Sequence, residues 1–485
     1  MKPVSSRAAK HIVVIGGGIS GLSAAYQIQK YNAGADFPLK ITLVEADRRL
    51  GGKILTEYQD GFTIEGGPDC FLRQKPWAAE LAAELSIQGD LMGTNDHQRK
   101  VYVLDGGRLK PLPDGVMLII PTRIMPFALS TLISLPGKLR MGLDWFIPAL
   151  RGTQDESVGH FIRRRLGREA LNKIAEPLMS GIHVSDPEKQ SLLATFPRFR
   201  SIEQKHGSLI RGMLAERKSA AAARPNNSTP SSVFMTFQPG MNHLINRLET
   251  HLTGCRILTG TTVTAIRKDG QDGYAVLLSS GEILPADAIV MAIPAYHAAP
   301  LLGPLSLDIA ARLGAIQYIS TATISMAFRK KEVKKAFVGF GFVIPRSENR
   351  EISACTWSSL KFNHRAPKDT LLLRCFVGGP GKEDRVALDD DELVHRARKE
   401  LGSILDLDAE PIFTRIFRWH KANPQYEVGH LARVQDLFAA CRLAMPGIFL
   451  TGSAYEGVGV PDCIKQGRQA AAAAIAFLQA ELTPV

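Results

Sequence analysis

The chain has 485 residues, more than one ordinary domain holds, so two or three packed units are expected. With 45% hydrophobic and 22% charged residues it is neither disordered nor collagen-like. A formal net charge of +12 points to an anionic partner: nucleic acid, acidic lipid headgroups or a polycarboxylate substrate.

The chain opens as strand, tight turn, helix, strand: His11–Ile15, a Gly-rich turn, Leu22–Lys30, then Ile41–Glu45. This order is the first βαβ unit of a doubly wound nucleotide-binding fold. Residues 111–217 read as mostly helical, with apolar runs at Ile124–Leu135 and Gly142–Leu150 and an Arg-rich helix at Val158–Arg165. Ser219–Ser232, rich in Ala, Ser, Asn and Pro, is predicted as an exposed loop. Strand patterns return at Val263–Ile266, Tyr274–Leu278, Ile289–Ala292, Thr321–Phe328 and Thr370–Phe376. Helices are predicted for Asp390–Leu405 and Gln466–Ala480.

The basic clusters Arg163-Arg164-Arg165, Lys330-Lys331 and Lys334-Lys335 read as solvated faces. Neither candidate apolar stretch predicts a membrane span. Ile124–Gly137 is too short and holds Pro126, and Pro294, Pro300 and Pro304 would break any helix in Ala288–Leu307. No signal-peptide apolar core is predicted at the start. Cys70, Cys255, Cys355, Cys375, Cys441 and Cys463 show no C-x-x-C and no Cys/His ligand spacing. Neither a disulfide framework nor a metal site is expected, and a reducing, cytoplasmic setting is the default.

Gly16-Gly17-Gly18-Ile19-Ser20-Gly21 is a G-x-G-x-x-G between the first strand and helix. Gly16 permits the turn, Gly18 admits a pyrophosphate to the backbone, and Gly21 lets the helix pack on the sheet. Glu45 ends the next strand, where a carboxylate can take both hydroxyls of an adenosine ribose. Gly51 and Gly52 follow in a doublet that lets the chain pass under a diphosphate, with Arg48 and Lys53 to offset its charge. This pattern resembles the amine-oxidase-like FAD superfamily. Near the C-terminus, Gly452 after an apolar strand and Gly459-Val460-Pro461 before a helix form a second backbone site for a polar cofactor.

Longer strings carry a narrower resemblance. They are Glu65–Phe71 (EGGPDCF), Glu176–Ile182 (EPLMSGI), Leu193–Pro197, Glu203–His206, Arg418-Trp419, Pro424–His430 and Glu456–Ile464. Over roughly residues 10–480 the chain resembles the oxygen-dependent protoporphyrinogen and coproporphyrinogen oxidases of haem biosynthesis, most closely their soluble Gram-positive-type branch. The resemblance implies non-covalent FAD, dioxygen as acceptor, and oxidation of coproporphyrinogen III with release of hydrogen peroxide. Protoporphyrinogen IX is the alternative substrate, and amine oxidation the alternative class.

The resemblance also implies an α/β fold with three parts. A Rossmann-like FAD-binding domain is built from the discontinuous segments 10–75, 233–300 and 412–482. A mixed α+β substrate-binding domain takes 76–110 and 301–411, and a helical insertion takes 111–217, with a linker at 218–232. Gly67, Val263, Trp419 and Ile464 are implied as further cofactor contacts. The backbone carbonyl of Gly181 is implied beside the substrate nitrogens. Arg73 and Lys75 are candidates for the propionates, Arg73 the better because guanidinium binds carboxylate in two-pronged fashion. Tyr296 or His297 could face the macrocycle. Nucleic acid is not expected, since aromatics make up 7% and no basic-aromatic motif occurs. Peripheral lipid contact by 117–165 and a downstream haem-pathway enzyme are the remaining partners.

Overall fold

The computed structural model describes residues 9–34, 38–113, 116–117, 120–121, 124–150, 152–222, 232–270 and 273–482. The expected βαβ opening is present: β1 (Lys10–Ile15), α1 (Ile19–Asn32) and β2 (Leu39–Val44). Three more strands join them: β3 (Cys255–Leu258), β4 (Ala288–Met291) and β5 (Ile448–Leu450). All pair in parallel, in the order β3-β2-β1-β4-β5. That is the strand order of a doubly wound dinucleotide fold, whose ligand crevice opens at the carboxyl ends of the strands.

Both faces of this sheet are covered, which explains why Ile12–Ile15 of β1 and all of β4 are apolar. On one face α1 packs against the long C-terminal helix α2 (Val460–Leu482). The crossing is close: a Cβ on Gly467 would overlap the carbonyl oxygen of Ser20. On the other face lie the antiparallel strands Val263–Asp269, Gly273–Leu278 and Ile283–Ala286 and the helices Ala295–Leu302 and His430–Ala444. Pro300 lies inside Ala295–Leu302, so proline does not exclude a helix there. The helix is short and ends two residues later, so little of its ladder is disturbed.

A seven-stranded sheet forms the second layer. Its order is Phe413–Pro424, Tyr318–Arg329, Thr370–Gly378, Ala354–Trp357, Gly341–Val343, Val101–Asp105, Arg108–Pro111. Helix Asp390–Leu405 packs on it, with the bounds its sequence predicts. Asp389 caps this helix by accepting the Glu392 N–H at 2.8 Å.

Residues 124–222 are largely helical around a core of their own, including Phe161, Ile162, Leu171, Phe199 and Met213. The predicted run Ile124–Leu135 is two helices, Ile124–Leu129 and Leu135–Gly142, because Ser134 caps the second. Of Gly142–Leu150, Gly142 ends the preceding helix and only Leu143–Trp145 continues it, as a 3-10 turn. Helix Leu209–Ala222 runs past the expected start of the linker; residues 223–231 of that linker lie outside the described residues.

The Arg163–Arg165 cluster is not a solvated face. Three successive residues of a helix point in three directions, and this helix buries the side that carries Arg165. Arg163 reaches Glu188 at the surface. Arg164 bonds Glu203 at 2.6 Å and Glu156 at 2.9 Å, while Arg165, with no exposed surface, meets Asp144 at 2.6 Å. Arg200 ties Glu156 and Glu203 together.

Candidate cofactor and substrate site

The carboxyl ends of β1, β2 and β4 meet at a cradle of backbone. Gly16 has φ +103°, and a Cβ there would stand 2.7 Å from the Ala292 carbonyl oxygen. A Cβ on Gly21 would overlap the carbonyl oxygen of Gly16. Gly18 is different: a Cβ there would meet nothing within 4 Å, so the chain leaves open space at the turn. Among the described residues no side chain caps the start of α1. Its first-turn N–H groups, at Ile19 and Ser20, are left to a ligand or solvent, and the helix dipole favours an anion.

Glu45 accepts the Gly17 N–H at 2.6 Å on one oxygen and the Asp47 N–H at 2.8 Å on the other. A carboxylate has about four lone-pair sites, so two remain for sugar hydroxyls. The Gly51-Gly52 doublet folds back onto the first motif. Gly51 donates to Gly17 O at 2.8 Å, and a Cβ on Gly52 would stand 3.3 Å from Gly18 Cα. Both glycines have positive φ. Arg49, which the sequence reading did not single out, clamps this turn through the carbonyls of Leu50, Gly52 and Ile54. Its neighbour Arg48 is exposed.

The two chain ends converge here. Gly452 has φ +125°, and a Cβ on it would stand 3.9 Å from Ser20 Oγ. Val460 and Ile464 are buried at the start of α2. Asp462 packs against Gly457 and Gly459, where a Cβ would stand 2.7 and 2.9 Å from its side chain. Lys75 bonds Asp462 at 2.5 Å. Tyr426 accepts the Gly457 N–H and donates to Ser453 O, each at 2.8 Å. Val263 is buried where its strand begins; just upstream Thr261 N–H bonds Glu45 O at 2.9 Å.

Lys53 donates to Ala422 O and has no acidic partner among the described residues. Burial pushes its ammonium below the usual lysine range. The carbonyl of Lys53 lies against Gly67, leaving no room for a Cβ there. Trp419 Nε1 bonds Gly66 O at 2.9 Å, so its contact is with the loop before Gly67.

The candidate substrate residues are more dispersed. Arg73 is exposed, and Lys75 is engaged by Asp462. Tyr296 packs edge-on to Tyr318 at 4.9 Å, with the Lys421 ammonium 5.9 Å from its ring. Burial, assisted by Lys421, lowers the pKa of His297. Gly181 lies on the helix Glu176–His183, and a Cβ there would meet nothing within 4 Å. Three residues on, Val184 has φ +49° and its carbonyl accepts from Gln425 Nε2 at 3.2 Å. No described contact joins Arg73 to the Tyr296–His297 pair.

The donor set suits FAD: uncapped helix amides and open space at Gly18 for a diphosphate, Glu45 for a ribose, and an unpaired cation at Lys53. The chain belongs to the flavin containing amine oxidoreductase family, whose pattern it matches over residues 19–475. It is a flavin-dependent oxidoreductase, and its cofactor is FAD.

Within that class, it is 39% identical to the coproporphyrinogen III oxidase of Bacillus subtilis (strain 168), over 97% of this chain and 98% of that one. It is 35% identical to the coproporphyrinogen III oxidase of Staphylococcus aureus (strain NCTC 8325 / PS 47), over 97% and 100%. A solved structure from Exiguobacterium sp. 255-15 superposes with TM-score 0.84 at 34% identity, covering 98% of this chain and 99% of that one.

Proposed function

We propose that the chain oxidises coproporphyrinogen III to coproporphyrin III in haem biosynthesis, with non-covalent FAD and dioxygen as acceptor. The observation that carries this reading is the near full-length similarity to two relatives named for that reaction. The surplus of positive charge suits a tetracarboxylate. When bound, FAD would supply two-electron oxidation, three times per macrocycle, with dioxygen as the final acceptor and hydrogen peroxide as its product.

The protein's own part is to bind, orient and exclude water. Glu45, the uncapped start of α1, Gly51-Gly52 and the start of α2 anchor the cofactor. Arg73, exposed and cationic, takes a propionate. Lys75 is available to a second only by leaving Asp462. The Gly181 carbonyl accepts a hydrogen bond from a pyrrole N–H and orients it, so that the proton released when the meso carbon gives up hydride to the cofactor passes to water. Tyr296 and His297 form one wall, with His297 kept neutral by burial and Lys421. The parallel sheet supports a cofactor domain (10–75, 233–300, 412–482), the seven-stranded sheet a substrate domain (76–110, 301–411), and the helices of 124–222 the helical insertion (111–217), although Phe413–Pro424 pairs into the seven-stranded sheet and Trp77–Glu84 packs in the core beneath the parallel one.

The protoporphyrinogen reading differs only in needing one cationic rim, and the ratio of turnover on the two porphyrinogens decides between them. Amine oxidation fits poorly beside Arg73, Lys53 and Lys421, which would repel a cation.

Among the described residues no helix is long and apolar enough to cross a membrane. The cytoplasm is the proposed location. The helical insertion exposes Leu129, Leu139 and Phe146 at 75–79%, beside Lys138 and Arg140. Such a surface supports peripheral contact with acidic lipid. Phe146→Ser should weaken sedimentation with anionic vesicles and leave turnover in solution unchanged; equal sedimentation removes lipid from the account.

Mixing the FAD-loaded protein with coproporphyrinogen III under air, and following porphyrin fluorescence, tests the reaction. No porphyrin above a protein-free control would refute it.

A further inference from the structure

The carbonyl oxygen of Gly66 collects a side-chain donor from each of three adjacent strands. Trp419 Nε1 donates at 2.9 Å, Arg374 Nη2 at 3.0 Å and Thr323 Oγ1 at 3.2 Å. The same Arg374 nitrogen donates to Gly67 O at 2.6 Å. Register explains the convergence. Thr323 lies opposite Phe417, two residues from Trp419, and opposite Phe376, two residues from Arg374, so all three side chains leave one face of the sheet. The loop lies tightly on that face: a Cβ on Gly66 would stand 2.7 Å from the Phe417 ring.

Arg374 is the unexpected member. It is buried and forms no ion pair among the described residues; its charge is balanced at longer range by Asp69 and Glu65, and its Nε finds no acceptor. Burying a guanidinium against carbonyls rather than carboxylates is unfavourable unless the arrangement serves something further. A carbonyl with two lone pairs rarely takes three donors.

The consequence falls on the other end of the same peptide unit. Donors on Gly66 O draw density from the peptide nitrogen, which makes the Gly67 N–H a stronger donor. Among the described residues that N–H meets no protein acceptor. Gly67 is half-buried and pressed against the Lys53 carbonyl, beside the glycine cradle that anchors the cofactor.

We propose that Arg374, Trp419 and Thr323 are positioning residues that hold and strengthen the Gly67 N–H as a hydrogen-bond donor to the bound flavin ring. A donor at the ring favours the electron-rich reduced form over the oxidised one. Trp419 thus acts through the loop. The inference rests on the assignment of FAD but not on the identity of the substrate.

The test is the two-electron midpoint potential of the FAD-loaded full-length protein, measured without substrate against a reference dye. FAD content is checked by absorbance first. Trp419→Phe keeps an aromatic side chain and removes the donor, and should cut the preference for reduced over oxidised flavin about tenfold, a fall of ~30 mV. Thr323→Val, nearly isosteric, should shift it the same way by about threefold. Arg374→Met should lower it most, and Arg374→Lys should restore part of the loss. If Arg374→Met does not fold, the Trp419 and Thr323 variants decide. FAD-replete Trp419→Phe and Thr323→Val proteins with the parent potential would overturn the proposal, even if turnover fell. A lowered potential upholds it whichever porphyrinogen proves to be the substrate.

Discussion

Replacing Glu65 by Gln should change how stability depends on pH more than it changes stability itself. Glu65 leads into the Gly66–Gly67 loop and is buried. It accepts from Thr56 Oγ1 at 2.7 Å and from the Met241 N–H at 2.9 Å, with Arg365 3.6 Å away. Burial outweighs these contacts and raises its pKa from 4.5 to about 7. At 1.36 kcal/mol per unit this is worth roughly 3 kcal/mol. The folded chain holds the proton more tightly than the unfolded chain, so the contribution is full below pH 4.5 and lost as pH rises through 7. Gln does not titrate. At about 2.1 cal/mol/K per residue, a chain of this length gains roughly 1 °C per kcal/mol. The melting temperature of Glu65→Gln minus that of the parent should therefore climb by about 3 °C between pH 4.5 and pH 8. His430 should show the opposite slope. Burial against the Tyr426 ring outweighs the hydrogen bond to the Tyr455 carbonyl and lowers its pKa from 6.5 to about 4, so its contribution is lost as pH falls through that range. His430→Asn should gain on the parent on acidification, by a similar amount. Difference curves flat to within about 1 °C would refute the reasoning for either residue.

Glu45→Ala removes the acceptor for the Gly17 and Asp47 amides as well as the proposed ribose contact. FAD affinity by fluorescence titration should fall at least tenfold, about 1.4 kcal/mol, and an unchanged affinity would remove Glu45 from the site. Arg165→Met leaves Asp144 buried without its cation, so the melting temperature should fall by an amount equivalent to about 3–5 kcal/mol; a loss under 1 kcal/mol would mean water replaces the guanidinium. Lys75→Ala breaks a half-exposed pair, so stability should change by under about 1 kcal/mol while KM for the porphyrinogen rises. A KM equal to the parent's would leave Lys75 with only its Asp462 contact.

Sequence showed most where function is local. The G-x-G-x-x-G turn and Glu45 lie on one continuous βαβ unit, and period and spacing alone define it. Helix Asp390–Leu405 was equally legible, because an acidic cap and an amphipathic period coincide. The strand order was not: β3, β4 and β5 come from distant stretches, and nothing local says which strand lies beside which. The same holds for Gly66, whose three donors stand at 323, 374 and 419. One signal for Arg374 was present, a single charge inside the apolar strand Thr370–Phe376, which marks a buried cation with something to bind. Arg165 was misread because a run of three arginines looks like surface, whereas a helix turns each to a different side. Arg49 was passed over for Arg48 because spacing gave no reason to prefer either.

The cofactor site takes electrons from a porphyrinogen. Mixing FAD-loaded protein with coproporphyrinogen III in the absence of oxygen tests it most directly, by absorbance of the flavin. The flavin band should bleach as porphyrin forms, and admitting air should restore it. A flavin that stays oxidised with excess porphyrinogen would contradict the account.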